Sequence, residues 1–351
     1  MHKSSILAGL LALPFAVSTA CAQDADALRI SGFGTAALTW TDTNEAYFAR
    51  PNQSAGAGTA PRTGVDSNLG LQADYRINDW LSVTGQGLVS KAGEDDYGAD
   101  LAWAFAKASL ADGLSVRVGR IGLPVFMISD YRNVGYANTM LRPSQEVYSQ
   151  VPASHVDGGD VTWQRSVAGT DYTVQLAFGR TKDGPAVISG QQVLNVVAEH
   201  GPLTLRFGHA AGTLALTVPV PLPDGRVMLL ALPAQKVHFV SVGAALDWHG
   251  IVAQSEVART CSIGGAQISS SYVMAGYRFG KLLPFYNHGK LTGTSAQSTD
   301  TLGLRWDAFR SAAIKVQFDR VTPQGRGLFV QARPGFHGPV TVGAAGIDFV
   351  F

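Results

Sequence analysis

Apolar and polar residues alternate along almost the whole chain with a period of two. In "NLGLQADYR", Leu69, Leu71, Ala73 and Tyr75 share one face and Asn68, Gln72, Asp74 and Arg76 the other. That alternation predicts a strand with one face in apolar surroundings. The pattern repeats after the tight turn Asn78-Asp79 in "WLSVTGQGLVSK". In "DLAWAFAKASL", Ala102, Ala104, Ala106, Ala108 and Leu110 stand opposite Lys107 and Ser109, and in "LSVRVGR" Val116 and Val118 stand opposite Arg117. Segments such as "TDYTVQLAFGR", "LTLRFGHA", "KVHFVSVGAALDW", "IVAQSEVAR", "TLGLRWDAF" and "AAIKVQFDR" continue it, and helical periodicity is scarcely visible.

The links between these segments alternate in length. Short ones fall at Asn78-Asp79, 111–113, 167–170, 200–202, 248–250, 280–281 and 307–311; long polar ones, rich in Gly and Pro, fall at 42–64, 92–99, 122–159, 181–190, 211–235, 260–268, 291–298 and 322–338. The count is about sixteen strands, with both chain ends on the short-turn side. One stretch resists this reading: "TLALTVPVPLPDGRVMLLALP" over 213–233 is unusually apolar for a loop. It could cover a neighbouring subunit, plug a pore mouth, or hold a further strand pair, which would make eighteen strands.

Composition narrows the class. Charged residues make up only 15% of the 351-residue chain and glycines number 40, against usual values of about 25% and about 7%. No uninterrupted apolar run reaches the ~18 residues of a spanning helix. In lipid, only helices and closed barrels satisfy every backbone polar group; the reading is therefore an all-β, transmembrane antiparallel barrel, since low charge and abundant glycine suit strands with one face in lipid. The first strand, "RISGFGTAALTW", also contains Gly32-x-Gly34-x-x-Ala37, the spacing of a dinucleotide-binding turn. No helix pattern follows Ala37, so the match is read as accidental and no cofactor is expected. Gly32 and Gly34 then fall on the lipid side, where small residues would admit another surface such as a neighbouring subunit.

The N-terminus, "MHKSSILAGLLALPFAVSTACAQ", has a basic start, a short apolar core and an Ala20-Cys21-Ala22 cleavage site. It predicts a cleaved secretory signal over 1–22 and a single barrel domain over 23–351. Cys261 is then the only cysteine left, which excludes an internal disulfide. The eight histidines show no metal-ligand spacing and there is no G-x-S-x-G elbow. No metal, enzymatic activity or nucleic-acid partner is expected. Trp40, Trp80, Trp248 and Trp306 sit at or near strand ends, as interfacial girdle residues do.

The last strand, "AAGIDFVF", places Ala345, Ile347, Phe349 and Phe351 on the lipid face and Asp348 on the other, and ends on an aromatic residue. Together with the signal, the "SGFGTAAL" first strand and the "DSNLGLQADYRINDWLSVTGQ" hairpin, it resembles the Gram-negative outer-membrane general porin family over the whole mature chain. The resemblance implies short periplasmic turns, long extracellular loops, and Phe349 and Phe351 as the signal read by the barrel assembly machinery. It also implies a homotrimer in outer-membrane lipid, passive diffusion of small hydrophilic solutes, and a third loop folded into the lumen.

That loop, about 122–159, carries the constriction candidates Asp130, Arg132, Arg142, Glu146, Asp157 and Asp160. Strand parity turns Lys107, Arg117, Arg206, Arg278, Arg305 and Lys315 toward the lumen, because a charge facing lipid at mid-bilayer costs about 2–4 kcal/mol. A basic wall of Arg117, Arg206, Arg278 and Arg305 facing an acidic loop predicts a weak anion preference. The alternatives are a substrate-specific anion channel, or a closed barrel serving adhesion or enzymatic work.

Overall fold

The computed structural model describes residues 27–91, 96–151, 153–221, 227–262 and 267–351; the signal at 1–22 lies outside the described residues. Seventeen strands follow one another: β1 (Leu28–Thr41), β2 (Asn68–Arg76), β3 (Leu81–Lys91), β4 (Tyr97–Ala111), β5 (Leu114–Gly122), β6 (His155–Val167), β7 (Thr170–Asp183), β8 (Ala186–His200) and β9 (Leu203–Pro221). Then come β10 (Val227–Ala231), β11 (Gln235–Trp248), β12 (Ile251–Ser262), β13 (Gln267–Tyr277), β14 (Leu282–Leu291), β15 (Gln297–Phe309), β16 (Ala312–Pro323) and β17 (Val340–Val350). Each wall strand pairs antiparallel with its neighbours, and β17 returns to β1 through the register Phe33↔Val350 to Thr41↔Val342. The sheet is a closed barrel, which leaves no free edge.

Sixteen strands make the wall. β10 pairs only with the far end of β9, from Val227↔Pro221 to Ala231↔Thr217. β11 pairs with β9 only as far as Leu214, opposite Gln235. The described parts of the apolar stretch 213–233 thus pair with each other beyond the rim, and they do not raise the strand count of the wall to eighteen. The β9 residues beyond the wall satisfy their backbone groups with β10 because the wall strand beside them has not yet begun.

Tight turns close the short-link end. β6 passes into β7 through Ala168 and Gly169 at φ 50° and 77°, and β11 into β12 through His249 and Gly250 at φ 48° and 86°. Two-residue turns with both central residues at positive φ carry the twist that antiparallel neighbours need, which is why glycine recurs at the second position. Outward positions are apolar and exposed, as at Leu302 (65%) and Phe351 (66%). Trp80, Trp248 and Trp306 stand exposed at the short-turn end, whereas Trp40 lies at the loop end of β1 over Gly343.

The seam between the first and last strands explains the glycines of β1. A Cβ on Gly32 would overlap the Phe351 ring, and one on Gly34 the Phe349 ring. Their open faces are therefore covered by rings of the same chain, and not left free for a neighbouring subunit. Gly34→Val is expected to displace Phe349 and weaken closure by about 1–3 kcal/mol, read as a lower temperature for loss of the folded, fast-migrating band on unheated gels. An unchanged transition would show that the ring seats elsewhere.

Candidate functional site

The segment 123–154 between β5 and β6 leaves the wall and crosses the lumen, with a single α-helical turn, α1 (Gln145–Tyr148), near its end. Many of its contacts are made by side chains that strand parity turns inward. On the β9–β12 side, Ser241 donates to the Val125 carbonyl (2.5 Å), Arg206 Nη1 donates to the Met127 carbonyl (3.0 Å), and the Met127 N–H donates to Glu256 Oε1 (3.1 Å). On the β15–β17 side, Lys315 Nζ donates to the carbonyls of Gly135 (2.7 Å), Asn138 (2.6 Å) and Met140 (3.1 Å), and pairs with Asp348 at 2.8 Å. Arg305 donates to the carbonyls of Tyr136 and Asn138.

Two charged residues of the loop anchor it in return. Arg142 pairs with Asp66 at 2.8 Å and with Asp319 at 2.6 Å, all three side chains being buried. Glu146 accepts from Gln297 (2.7 Å) and Thr299 (2.5 Å). Burial raises the Asp66 carboxyl, but the charge and hydrogen bonds of Arg142, helped by Arg50, outweigh it and hold Asp66 below the usual carboxylate range.

Between these anchors the lumen is filled, and by apolar groups. Val125, Phe126, Met127, Ile128, Val147 and Tyr148 of the loop bury against Phe239, Tyr272, Met274, Leu283 and Phe285 of the wall. The Phe126 ring sits 4.6 Å from Tyr148 and 5.1 Å from Phe239, centroid to centroid. This is a hydrophobic core inside a barrel whose lumen the sequence reading treats as watery.

A cavity of about 410 Å³ stays open between the loop and the wall of β2–β7, lined among others by Arg50, Trp103, Asp130, Tyr131, Arg132 and His155. Neither Arg50 nor Arg132 has a hydrogen bond or ion pair from its guanidinium among the described residues. Burial, and then the neighbouring Arg50, push Arg132 down to about 10; burial likewise lowers Arg50. Arginine stays protonated at neutral pH, so the cavity holds two cations without a hydrogen-bonded carboxylate among the described residues, Arg50 being drawn at longer range by Asp66. Asp130 is exposed at the same opening.

The candidates named from sequence therefore divide. Only Asp130 and Arg132 line the cavity. Asp157 and Asp160 stand on β6, not on the loop, because the strand resumes at His155. Asp160 is held by Arg117 at 2.5 Å, Asp157 by Arg120 at 2.7 Å. Arg278 pairs with Asp247 at the short-turn end (2.9 Å), and Lys107 faces inward in register with Arg117. The expected basic wall facing an acidic loop is not the arrangement found: Arg117, Arg206, Arg305 and Lys315 are spent on carboxylates and on loop carbonyls. Arg50, in the first loop, carried no signal in the sequence. Glu256 did, as an acid of lumen parity within "IVAQSEVAR".

No protein-family model matches the chain, and neither does any curated protein. Solved structures do match it. OmpF of Salmonella typhi, in complex with daunomycin, superposes with a TM-score of 0.62 at 17% identity over 92% of this chain and 97% of its own. The anion-selective porin from Comamonas acidovorans gives 0.61 at 15% over 92% and 99%, and OmpT of Vibrio cholerae 0.61 at 12% over 92% and 97%. At these identities the likeness is one of fold: the chain has the barrel of outer-membrane porins.

Proposed function

We propose that the protein is an outer-membrane channel through which small hydrophilic solutes diffuse, with a preference for anions, and that it performs no catalysis. The carrying observation is the pair of guanidiniums, Arg50 and Arg132, that line the passage left open by the third loop without a hydrogen-bonded carboxylate among the described residues. In a confined space of reduced dielectric, two such charges raise the local concentration of anions and repel cations. Export by the N-terminal signal, assembly through the terminal Phe349 and Phe351, and association as a homotrimer in the outer membrane complete this reading.

Single-channel recording in planar bilayers tests it. The expected result is small, discrete steps whose reversal potential in a salt gradient shows anion preference, and Arg50→Gln with Arg132→Gln is expected to abolish that preference. Clear cation preference in the unaltered protein would overturn the charge assignment, and an absence of steps would favour a closed barrel with an adhesive or enzymatic role. A second reading, a channel specific for one anionic solute, is favoured by the apolar filling of the lumen, because a narrow passage lets one solute displace the ions; it predicts steps that the solute blocks saturably.

A further inference from the structure

The lipid-facing surface ends differently at its two rims. At the short-turn rim it ends in rings, with Trp80, Trp163, Tyr172, Trp248, Tyr277 and Trp306 exposed, the aromatic girdle that barrels ordinarily carry at both interfaces. At the loop rim, over β11 to β16, it ends in cations.

The change can be followed row by row. On β14, β15 and β16 the outward residues in register are Leu282, Trp306 and Ile314, then Pro284, Leu304 and Val316, then Tyr286, Leu302 and Phe318. The next row is His288, Asp300 and Arg320. Lys290 stands one pair beyond His288, and β12 and β11 reach the same face with Arg259, two residues past the outward Val257, and Lys236; all are exposed.

Their charge is only partly cancelled locally. Asp300 is engaged by Tyr286 (2.5 Å) and His288 (2.8 Å) of its own sector. Arg320 donates to Thr341 and lies 3.6 Å from Asp42, both ionic side chains about half exposed. Lys236, Arg259 and Lys290 have no carboxylate partner among the described residues. The cations also keep step: Arg259 is in register with Ser269, Lys290 with Ser271, and Arg320 with the His288 row. Each two strands thus bring a shift of one residue pair, the stagger by which a tilted barrel holds residues at one height. With neighbouring strands about 4.8 Å apart, cations on alternate strands repeat at about 10 Å, so one cation can meet the phosphate of each of several adjacent lipids.

A cation facing lipid costs only about 0–1 kcal/mol at the edge of the hydrocarbon belt, and it gains about 1 kcal/mol there from an anionic membrane surface. We propose that the loop rim of β11–β16 is a docking surface for phosphate-bearing headgroups of anionic lipid in the adjoining leaflet. The surface is independent of the solute passage, since these side chains point away from the lumen.

The test uses the full barrel in nanodiscs, with phosphatidic acid and phosphatidylcholine competing for it, and retained lipid counted by native mass spectrometry. Preferential retention of phosphatidic acid is expected, weakening as salt screens it. Arg259→Gln, Lys290→Gln and Arg320→Gln are expected to lower its affinity about fivefold per cation removed, taking about 1 kcal/mol for each near a charged surface. Trp248→Ala at the opposite rim should leave the preference intact. Inorganic phosphate, which lacks the acyl chains that bring a headgroup to this rim, should not displace the lipid. Equal retention of the two lipids by the unaltered protein would overturn the proposal even if the variants failed to fold. So would an unchanged preference in the triple variant, or full displacement by inorganic phosphate.

Discussion

Arg142→Met is expected to release the middle of the third loop and destabilise the barrel by about 3–5 kcal/mol, because removing one member of a buried ion pair leaves uncompensated charge behind. Here the residue left behind is double: Asp66 and Asp319 both lose their cation. The Arg142 guanidinium also lies over the Phe48 ring at 4.8 Å, so packing is lost with the charge. Two readouts should move together, a lower thermal midpoint and larger, noisier single-channel steps as the loop swings from the wall. Acid gives the same prediction a second form. Asp66 titrates below its ordinary value of about 3.9 in the folded protein, so the contribution of the Arg142–Asp66 pair is fully present above that pH and disappears only as pH falls through the lowered value. Unchanged conductance and melting in Arg142→Met would mean that the carbonyl contacts of Lys315 and Arg305 hold the loop unaided.

The wall of the barrel was legible because a period of two is enforced residue by residue: a slip of one position in β15 would turn Asp300, Arg305 and Asp307 over together with the leucines between them. Link length was equally plain, since a two-residue turn such as Ala168-Gly169 leaves no freedom for a loop. The site was legible only in part. Parity could say that Arg206, Arg305 and Lys315 face inward, but not what they face, because their partners are backbone carbonyls of a loop far away in sequence. Asp66 and Arg50 lie in the irregular first loop, where no periodicity assigns a face, so neither the anchor of Arg142 nor the second cavity cation could be read. Charge signs on loop and wall suggested a field across the lumen; burial instead paired most of those charges off and left Arg50 and Arg132 without a hydrogen-bonded carboxylate among the described residues.

The apolar filling did leave a mark in the sequence. Strands with one face in water should alternate, yet "SYVMAGY" and "LLPFY" are apolar on both faces, and "HFVSV" sets Phe239 inward beside the outward Val240 and Val242, as strands buried on both sides do. Phe239, Tyr272, Met274, Leu283 and Phe285 are the inward members, and each is at most 4% exposed. Phe126 is the loop residue that fills the space between them, 1% exposed and in ring contact with both Tyr148 and Phe239. Phe126→Ala should cost about 3–5 kcal/mol, the range for removing a buried aromatic ring. The lost packing is shared between loop and wall, so it should also loosen the seal on that side of the lumen. Larger ohmic steps and entry of neutral polymers excluded from the unaltered channel are expected, with Phe126→Leu giving a smaller change in both. Anion preference should fall as well, because ions could then pass at a distance from Arg50 and Arg132. If Phe126→Ala melts earlier but conducts and excludes polymers as before, the core holds the barrel together without setting the size of its passage.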